Sequence, residues 1–217
     1  MKIFVGISGA SGSIYGGRLL EVLKESGIEI TTCISDGALE VMGHEEKLVA
    51  GPKAGIAADT LTGSDTGFAA RREAVTAAFL ERHGIGSGEI ELAQPRDMAS
   101  TFASGSSLAD AAIVCPCSMS TLASIASGVT RNLIHRVADV MLKESRPLAL
   151  VPRETPLSEI HLRNMLRVKR AGALLIPAMP GFYHHPESVD DIVDFVVGKV
   201  LDSLGIKNEL FKRWQGS

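Results

Sequence analysis

Glycine and small hydroxyl side chains are concentrated in short segments that each follow an apolar, β-branched run. The first of these segments reads Ser8-Gly9-Ala10-Ser11-Gly12-Ser13. Glycine lets the backbone approach an anion closely, and the N–H groups at the start of a following helix point toward it with the positive end of the helix dipole. The segment therefore predicts a phosphate cradle, and the spacing leaves a plain tight turn open as the alternative.

The spacing of the first glycines narrows the choice of nucleotide. Gly6, Gly9 and Gly12 stand at three-residue intervals, which is not the Gly-x-Gly-x-x-Gly fingerprint of dinucleotide-binding proteins. The loop also lacks the Gly-Lys-Ser/Thr of the P-loop proteins that hydrolyse ATP. A mononucleotide such as FMN therefore fits this loop better than NAD or ATP.

Further hydroxyl groups and charges follow the later apolar runs. They are, in chain order, Ser35-Asp36, Ser118-Met119-Ser120-Thr121, Arg153-Glu154 and Gly181-Phe182-Tyr183-His184. Capping of the following helix is an equally simple explanation of Ser118. Arg136 and Lys143 lie seven residues apart, on one face of a predicted helix, and Lys199 lies in another. Most such cations are merely solvated, and only the loop position of Arg153 favours a ligand contact.

The overall composition limits the possible classes of protein. The 217 residues carry a formal net charge of −3, which argues against a basic face for nucleic acid. No run of about 18 apolar residues is present to cross a bilayer, and the N-terminal residues do not resemble a signal peptide, so we expect a cytoplasmic protein. Cys33, Cys115 and Cys117 have neither disulfide nor zinc-site spacing, so we expect no metal.

The elements that must position these residues follow from periodicity. Short β-branched runs alternate with segments of helical spacing, which predicts an α/β fold with a doubly wound parallel sheet. Strands are expected at 2–7, 28–34, 111–115, 148–152 and 173–177. Ligands bind beyond the carboxyl ends of the strands in such a sheet, so the polar segments should meet there.

Two helices carry clear terminal signals. Ser188 and Asp191 predict a capping box for a final apolar helix that ends at Gly205. Thr155-Pro156 predicts the N-cap and first residue of an earlier helix that carries Ile160, Leu162, Met165 and Leu166.

The segment at about 47–95 is punctuated by glycines and contains one helical piece at 69–82. Its apolar residues are too few and too scattered for a core of their own. We therefore expect a single domain over 1–217, with this segment as an excursion from it.

Seven short motifs, in order over nearly the whole chain, together resemble the flavin prenyltransferase (UbiX-like) family. They are Ser8-Gly9-Ala10-Ser11-Gly12 with Tyr15-Gly16, Cys115-Pro116-Cys117-Ser118, Arg136-Val137-Ala138-Asp139, Leu142-Lys143-Glu144, Pro152-Arg153-Glu154-Thr155-Pro156, Gly181-Phe182-Tyr183-His184 and Arg213-Trp214-Gln215.

The resemblance implies a flavodoxin/Rossmann-like three-layer sandwich that binds FMN without a metal. The implied activity transfers a dimethylallyl group from dimethylallyl phosphate to N5 and C6 of reduced FMN. The product, prenylated FMN, would serve a partner UbiD-like decarboxylase, and the implied assembly is a homododecamer. The sequence leaves open whether the donor is a monophosphate or a diphosphate, and whether the partner acts in ubiquinone biosynthesis or in the breakdown of aromatic acids.

The resemblance also implies roles for individual residues. The matching FMN contacts are Gly9, Ala10, Ser11, Ser35, Ser118, Met119, Ser120, Thr121 and Arg136. The matching contacts to the allylic phosphate are Lys143, Arg153, Tyr183 and Lys199. Ser11, Glu45 and Glu154 match catalytic positions that move protons or stabilise cationic intermediates, with Glu46 as the alternative to Glu45. Trp214 resembles a tail aromatic that covers the site, and a terminal apolar anchor is its other explanation.

Two rival functions remain to be distinguished. An FMN-dependent cysteine decarboxylase resembles this family in fold, but it carries a catalytic histidine and a Pro-x-Met-Asn segment that is not found in this sequence. A non-catalytic FMN-binding subunit would keep the flavin loops and lose the cations that hold the allylic phosphate. Those cations are present.

Overall fold

The computed structural model describes residues 1–48, 65–104 and 109–214, and a parallel sheet lies at its centre. The strands are β1 Lys2–Ile7, β2 Glu29–Ile34, β3 Glu91–Leu92, β4 Ala111–Cys117, β5 Leu148–Pro152 and β6 Leu174–Leu175. Their spatial order is β3-β2-β1-β4-β5-β6, and every adjacent pair is parallel. The chain winds outward in opposite directions from the β1 and β4 pair, so the crevice for a ligand lies at the carboxyl ends of these two strands.

Helices cover both faces of this sheet. They are α1 Ser13–Glu25, α2 Asp36–Glu45, α3 Asp65–Arg82, α4 Met119–Ala126, α5 Leu133–Lys143, α6 Glu159–Arg170 and α7 Val189–Ser203, with a short 3-10 helix at Thr101–Ala103. Helices α1, α2, α3 and α7 pack into the core on one face, and α4, α5 and α6 pack into the core on the other. The predicted doubly wound three-layer α/β fold is confirmed.

Side-chain alternation along β1 explains the two cores. Ile3, Val5 and Ile7 enter the core beside α1 and α7, whereas Phe4 enters the opposite core. Because both faces are covered, the central strands read as continuous apolar runs, which is typical of parallel sheets.

The strand predictions needed three corrections. The strand expected at 111–115 extends through Pro116 and Cys117, so these two residues belong to β4 and not to the loop after it. The strand expected at 173–177 shortens to the two residues of β6. Strand β3 was missed because it has only two residues, both exposed at the sheet edge, and so carries no apolar pattern.

The start of α6 was predicted wrongly. Thr155-Pro156 lies in a turn with a cis peptide bond, and Ser158 is the N-cap. The Ser158 hydroxyl accepts the N–H of His161 (3.3 Å), while Nδ1 of His161 accepts the N–H of Ser158 (3.2 Å). The usual partner in a capping box is glutamate or glutamine and not histidine, so the sequence pattern did not predict a helix start at Ser158.

The predicted apolar residues of α6 are divided between two environments. Met165 packs into the core, but Ile160, Leu162 and Leu166 are 69%, 52% and 50% exposed. The outer face of α6 therefore carries three exposed apolar side chains among charged ones.

The final helix matches its prediction at both ends. The Ser188 hydroxyl accepts the N–H of Asp191 (3.1 Å), and the Asp191 carboxylate accepts the N–H of Ser188 (3.0 Å), which completes the capping box. Gly205 follows the C-cap with a φ of 71°, the left-handed conformation that ends helices. Val189, the first residue of this apolar helix, is exposed.

The helical piece predicted at 69–82 lies within α3. Residues 49–64 of the expected excursion lie outside the described residues, as does Gln215 of the terminal motif. Within the described ranges, no helix is long and apolar enough to cross a membrane, and no group of three or more potential ligand side chains could hold a metal ion. The three cysteines are free and buried, and burial raises the pKa of the Cys33 and Cys117 thiols to about 12.

Candidate functional site

The floor of the crevice is a set of hydrogen bonds between the loops that follow β1 and β4. The buried Ser8 hydroxyl donates to the carbonyl of Pro116 (3.1 Å) and accepts the N–H of Ser118 (2.8 Å). The backbone N–H of Ser8 also donates to Pro116 (3.1 Å). Ser8 therefore fixes the distance between the two predicted flavin loops, a role that the sequence did not assign to it.

Glu45 lies against the first loop. The N–H of Gly12 donates to both carboxylate oxygens of Glu45 (3.1 and 2.9 Å), and the N–H of Ser13 donates to Oε2 (3.1 Å). Burial alone would raise the pKa of Glu45, but these bonds and the one from the Ser11 hydroxyl outweigh burial and lower it. The N–H groups that the sequence assigned to a phosphate thus bind a carboxylate of the chain itself.

Two glycines make room for this loop. A Cβ atom at Gly9 would lie 2.9 Å from the carbonyl carbon of Gly37 in the first turn of α2, too close for any side chain. Gly12 has a φ of 100° and precedes α1. The loop after β1 is therefore pressed against the start of α2, which brings Gly9, Ala10 and Ser11 beside Ser35.

The predicted hydroxyl contacts are helix caps in part. Ser35 caps α2 by accepting the N–H of Ala38 (3.2 Å), and Ser118 caps α4 by accepting the N–H of Thr121 (3.2 Å). The capping explanation of Ser118 is thereby confirmed. Met119 and Thr121 are buried, while Ser120 is exposed with its hydroxyl 3.1 Å from that of Ser118. Ser120 is the member of this group that presents a polar group outward.

Arg153 joins the loop after β5 to the same crevice. Its Nε donates to the carbonyl of Ser11 (3.1 Å), across 142 residues of chain, and its own N–H donates to Cys117 (3.4 Å). No carboxylate within the described ranges pairs with this guanidinium, so its charge is available to an external anion. Glu154 follows it, half-buried, and accepts the N–H of Thr155 (3.1 Å).

Tyr183 and Lys199 meet at an aromatic cluster, which consists of Tyr183, His184, Phe195, Phe211 and Trp214. The Tyr183 ring stands edge-on to Phe195 (5.6 Å), and the ammonium of Lys199 lies over Phe195 (5.8 Å) and Phe211 (5.2 Å). Among the described residues, Lys199 has no carboxylate in salt-bridge contact. It is a second cation with an uncommitted charge.

The chain tail reaches the same cluster. Arg213 makes a two-pronged ion pair with Asp202 (2.8 and 2.7 Å), and Trp214 then contacts the edge of the Tyr183 ring at 6.2 Å. Trp214 is 69% exposed, so it does not anchor the tail in a core. The indole ring of Trp214 instead stands edge-on to the ring of Tyr183.

Two predicted site residues are not brought to this crevice. Arg136 lies on the outer side of α5, where it pairs with Asp139 (2.8 Å) and donates to the carbonyl of Ala103 (3.0 Å). Lys143 is the last residue of α5 and pairs with Glu144 (2.5 Å). Because α5 runs back toward the start of β5, Lys143 lies near the amino edge of the sheet, away from Arg153.

The ambiguity between the adjacent glutamates is resolved by their surroundings. Glu45 is exposed and contacts the loop after β1, whereas Glu46 is 7% exposed and its carboxylate lies 3.3 Å from Nε2 of His83. No motif pointed to His83, because it follows the last residue of α3 in the segment without motifs.

The comparisons with known proteins bear on the whole chain. The family model described as Flavoprotein matches residues 1–201. The flavin prenyltransferase UbiX of Pseudomonas aeruginosa is 43% identical over 213 residues, which are 98% of this chain and 93% of that protein. The chain belongs to the flavin prenyltransferase family.

Two solved structures are similar in both sequence and fold. A dodecameric FMN-dependent UbiX-like decarboxylase from Escherichia coli O157:H7 is 40% identical, with a TM-score of 0.77 and full coverage of both chains. AnUbiX (PadA1), solved with FMN and dimethylallyl pyrophosphate, is 38% identical, with a TM-score of 0.78 over 100% of this chain and 98% of that one. The predicted family, the flavin cofactor and the transferase class are confirmed.

Proposed function

We propose that this protein transfers a dimethylallyl group from dimethylallyl phosphate to N5 and C6 of reduced FMN. The observation that carries the proposal is the contact between Ser11 and Arg153, because it places a guanidinium with no carboxylate partner among the described residues beside the loop expected to hold the flavin. Family membership supports the same activity, and the related AnUbiX was solved with FMN and dimethylallyl pyrophosphate.

The residues at the crevice suit FMN. Because Gly9 has no side chain, the loop after β1 packs directly on the first turn of α2, and Ser35 and Ser120 offer hydroxyl groups at neighbouring helix starts. The residues proposed to hold FMN are Gly9, Ala10, Ser11, Ser35, Ser118, Met119, Ser120 and Thr121. Arg136 is also proposed to contact FMN, but from a neighbouring copy of the chain. Bound reduced FMN supplies the nucleophilic nitrogen and carbon.

The cations are proposed to stabilise the departing phosphate. Arg153 offers its two terminal nitrogens to the phosphate oxygens, and Lys199 offers a point charge at the aromatic cluster that contains Tyr183. Groups that bind the leaving phosphate more strongly than the bound donor lower the barrier to cleavage of the C–O bond. The aromatic cluster keeps water from the allylic carbon and places ring faces where positive charge develops.

The acidic residues are proposed to move protons. Glu45 faces the loop that contains Ser11, and the hydrogen bonds that lower its pKa keep it ionised near neutral pH. An ionised carboxylate is able to accept a proton or to stabilise positive charge. Glu154 adjoins Arg153 and is the second carboxylate at this edge, while Ser11 is proposed to relay a proton to Glu45.

The placement of Arg136 and Lys143 supports a shared site. Both lie outside the crevice of their own chain, so a neighbouring copy must supply them if they contact FMN and the allylic phosphate. The exposed apolar side chains of α6, which are Ile160, Leu162 and Leu166, offer contacts for such a copy. We therefore propose a homo-oligomer, and the dodecameric relative supports twelve subunits.

The cysteine decarboxylase alternative lacks its recognition segment. The nearest sequence is Pro177-Ala178-Met179-Pro180, in which proline replaces the asparagine of that enzyme. The free charges of Arg153 and Lys199 also have no role in an enzyme without a phosphate leaving group. The alternative of a binding subunit without activity leaves the same charges unexplained.

The setting of the enzyme is also proposed. A single flavoprotein domain over 1–217 is supported by α3 and β3, which come from the excursion at 47–95 and pack on the same sheet. Three free cysteines support a reducing cytoplasm. Because prenylated FMN is a cofactor and not an end product, we propose that a UbiD-like decarboxylase receives it.

Mass analysis tests the proposed activity directly. The purified protein is incubated anaerobically with reduced FMN and dimethylallyl phosphate, and the mass of the released flavin is measured by mass spectrometry. We expect a gain of one C5 unit. Unchanged FMN with both the monophosphate and the diphosphate donor would refute the proposed activity.

A further inference from the structure

A buried acid and imidazole pair lies directly behind the crevice. Oε1 of Glu46 accepts the hydroxyl of Ser13 (2.6 Å), and its Oε2 lies 3.3 Å from Nε2 of His83. The side chains of Glu46 and His83 are 7% and 12% exposed, and these two facing atoms have no hydrogen-bond partner in the described structure. Each atom therefore has the other as its nearest polar neighbour, and one proton between them satisfies both.

Three helices hold this pair in place. The His83 ring contacts Phe79 at 4.8 Å and lies so close to α1 that a Cβ atom at Gly17 would be 2.2 Å from its Nε2. Arg82 donates to the carbonyl of Glu46 (2.7 Å), and its Nε lies 3.6 Å from the carboxylate. The end of α3 thus holds the end of α2 in place, through the Arg82 hydrogen bond, and packs against the start of α1 through His83.

The pair decides where the Ser13 hydroxyl points. That hydroxyl lies 2.6 Å from Glu46 and 3.2 Å from Glu45, and it has a single proton to donate. The shorter contact directs the proton to Glu46. Ser13 is thereby fixed with its N–H toward Glu45, which holds that carboxylate against the loop after β1.

We propose that Glu46 and His83 are positioning residues for Glu45. This inference rests on the proposed function, in which Glu45 faces the flavin. Buried acid and base pairs generally add little to stability over apolar residues of the same volume, so the directional hydrogen bonds are what this pair adds. Through Ser13, they set the orientation of the turn at Gly12 and of the carboxylate that it binds.

The first test follows amide hydrogen exchange in the free protein. In Glu46→Leu and His83→Leu, we expect faster exchange at Gly12 and Ser13, with the amides of β4 and β5 unchanged. Glu46→Gln should keep the protection, because its amide accepts from Ser13 and donates to His83. Unchanged exchange at Gly12 and Ser13 in both leucine variants would overturn the inference, whatever the protein catalyses.

The second test separates turnover from binding. In the anaerobic prenylation assay, the leucine variants should lose roughly tenfold in kcat, since small misplacement of a reacting group is costly. The KM for dimethylallyl phosphate and the FMN content should stay within about twofold of wild type, because no residue assigned to FMN or to the allylic phosphate is substituted. Glu46→Gln should retain most of the wild-type kcat.

The matched control is His44→Gln, which changes an exposed histidine next to Glu45. Its kcat should equal that of the wild type. Equal losses of kcat in Glu46→Gln and Glu46→Leu would contradict the hydrogen-bonding role. If the wild type itself does not prenylate FMN, the proposed function fails, and the exchange experiment still decides the positioning role.

Discussion

The cations of the crevice and the cations of α5 differ in whether their charges are already paired. Arg153 and Lys199 have no carboxylate in salt-bridge contact among the described residues, while Arg136 is paired with Asp139 and Lys143 with Glu144. An exposed pair of this kind contributes little to stability and exchanges readily with another anion. We propose that Arg153 and Lys199 serve the site of their own chain, and that Arg136 and Lys143 stay in surface pairs until they reach the site of a neighbouring copy.

The largest expected effect comes from removing the charge at the crevice. Arg153→Ala should lower prenyl transfer by roughly a hundredfold or more, because a charge-assisted fork to the leaving phosphate is lost. The FMN content, measured by absorbance of the purified protein, should stay near that of the wild type. Arg167→Ala, an exposed arginine on α6, is the control, and its activity should be unchanged. Full activity in Arg153→Ala would remove the assignment.

A mixed oligomer sharpens the comparison between the two regions. Lys143→Ala and Arg153→Ala should each be nearly inactive when alone. When the two variants are co-expressed in equal amounts, roughly a quarter of the wild-type activity should return. One site in four then takes its Arg153 from a Lys143→Ala chain and its Lys143 from an Arg153→Ala chain, so both residues are intact. No recovery would place both residues in a site made by a single chain. An active Lys143→Ala would show that the lysine is not used.

A smaller effect is expected at Lys199. Lys199→Ala should raise the KM for dimethylallyl phosphate by about tenfold, the equivalent of one charge-assisted hydrogen bond, with little change in FMN binding. Lys199→Arg should lower the KM below that of the wild type, since a planar fork replaces a point charge. Steady-state kinetics at several donor concentrations measure both. A KM in Lys199→Ala equal to the wild-type value would mean that the ammonium serves only the two rings beneath it.

The smallest effect concerns stability and pH. Hydrogen bonds hold the pKa of Glu45 below its ordinary value of 4.5, so its ionised form stabilises the folded protein above that pH. The contribution disappears as the pH falls through the lowered pKa. Glu45→Gln should therefore lower the free energy of unfolding at pH 7 and converge with the wild type in strong acid. Denaturant titrations at several pH values measure this, and a gap that widens in acid would contradict the sign.

Much of the fold could be read from local patterns. The central strands are apolar on both faces, and the Ser188 and Asp191 capping box marks α7 without reference to anything distant. Local signals failed where tertiary contacts decide. The two exposed residues of β3 form a strand only because Thr31 and Thr32 are beside them, and Ser158 begins α6 with an unusual histidine partner.

The site was predictable to a different degree. The loops could be ordered because parallel strands deliver their carboxyl ends to one edge, which brings Ser11 and Arg153 together. The packing of α2 against α3 decides two further features of the site. The Glu45 carboxylate binds the N–H groups at the start of α1, and Glu46 points inward to His83. No spacing in the sequence encodes that contact.

The hydrogen bonds of Ser8 have a consequence for how the protein is made. Ser8 and Pro116 are 108 positions apart in the chain, and β1 pairs with β4 at the middle of the sheet. The contact closes a loop of 108 residues, so it cannot form before Pro116 has been synthesised. A nascent chain that has emerged only as far as α3 holds the first flavin loop but not its counterpart. The ability to retain FMN should thus be acquired only after more than half of the polypeptide has left the ribosome.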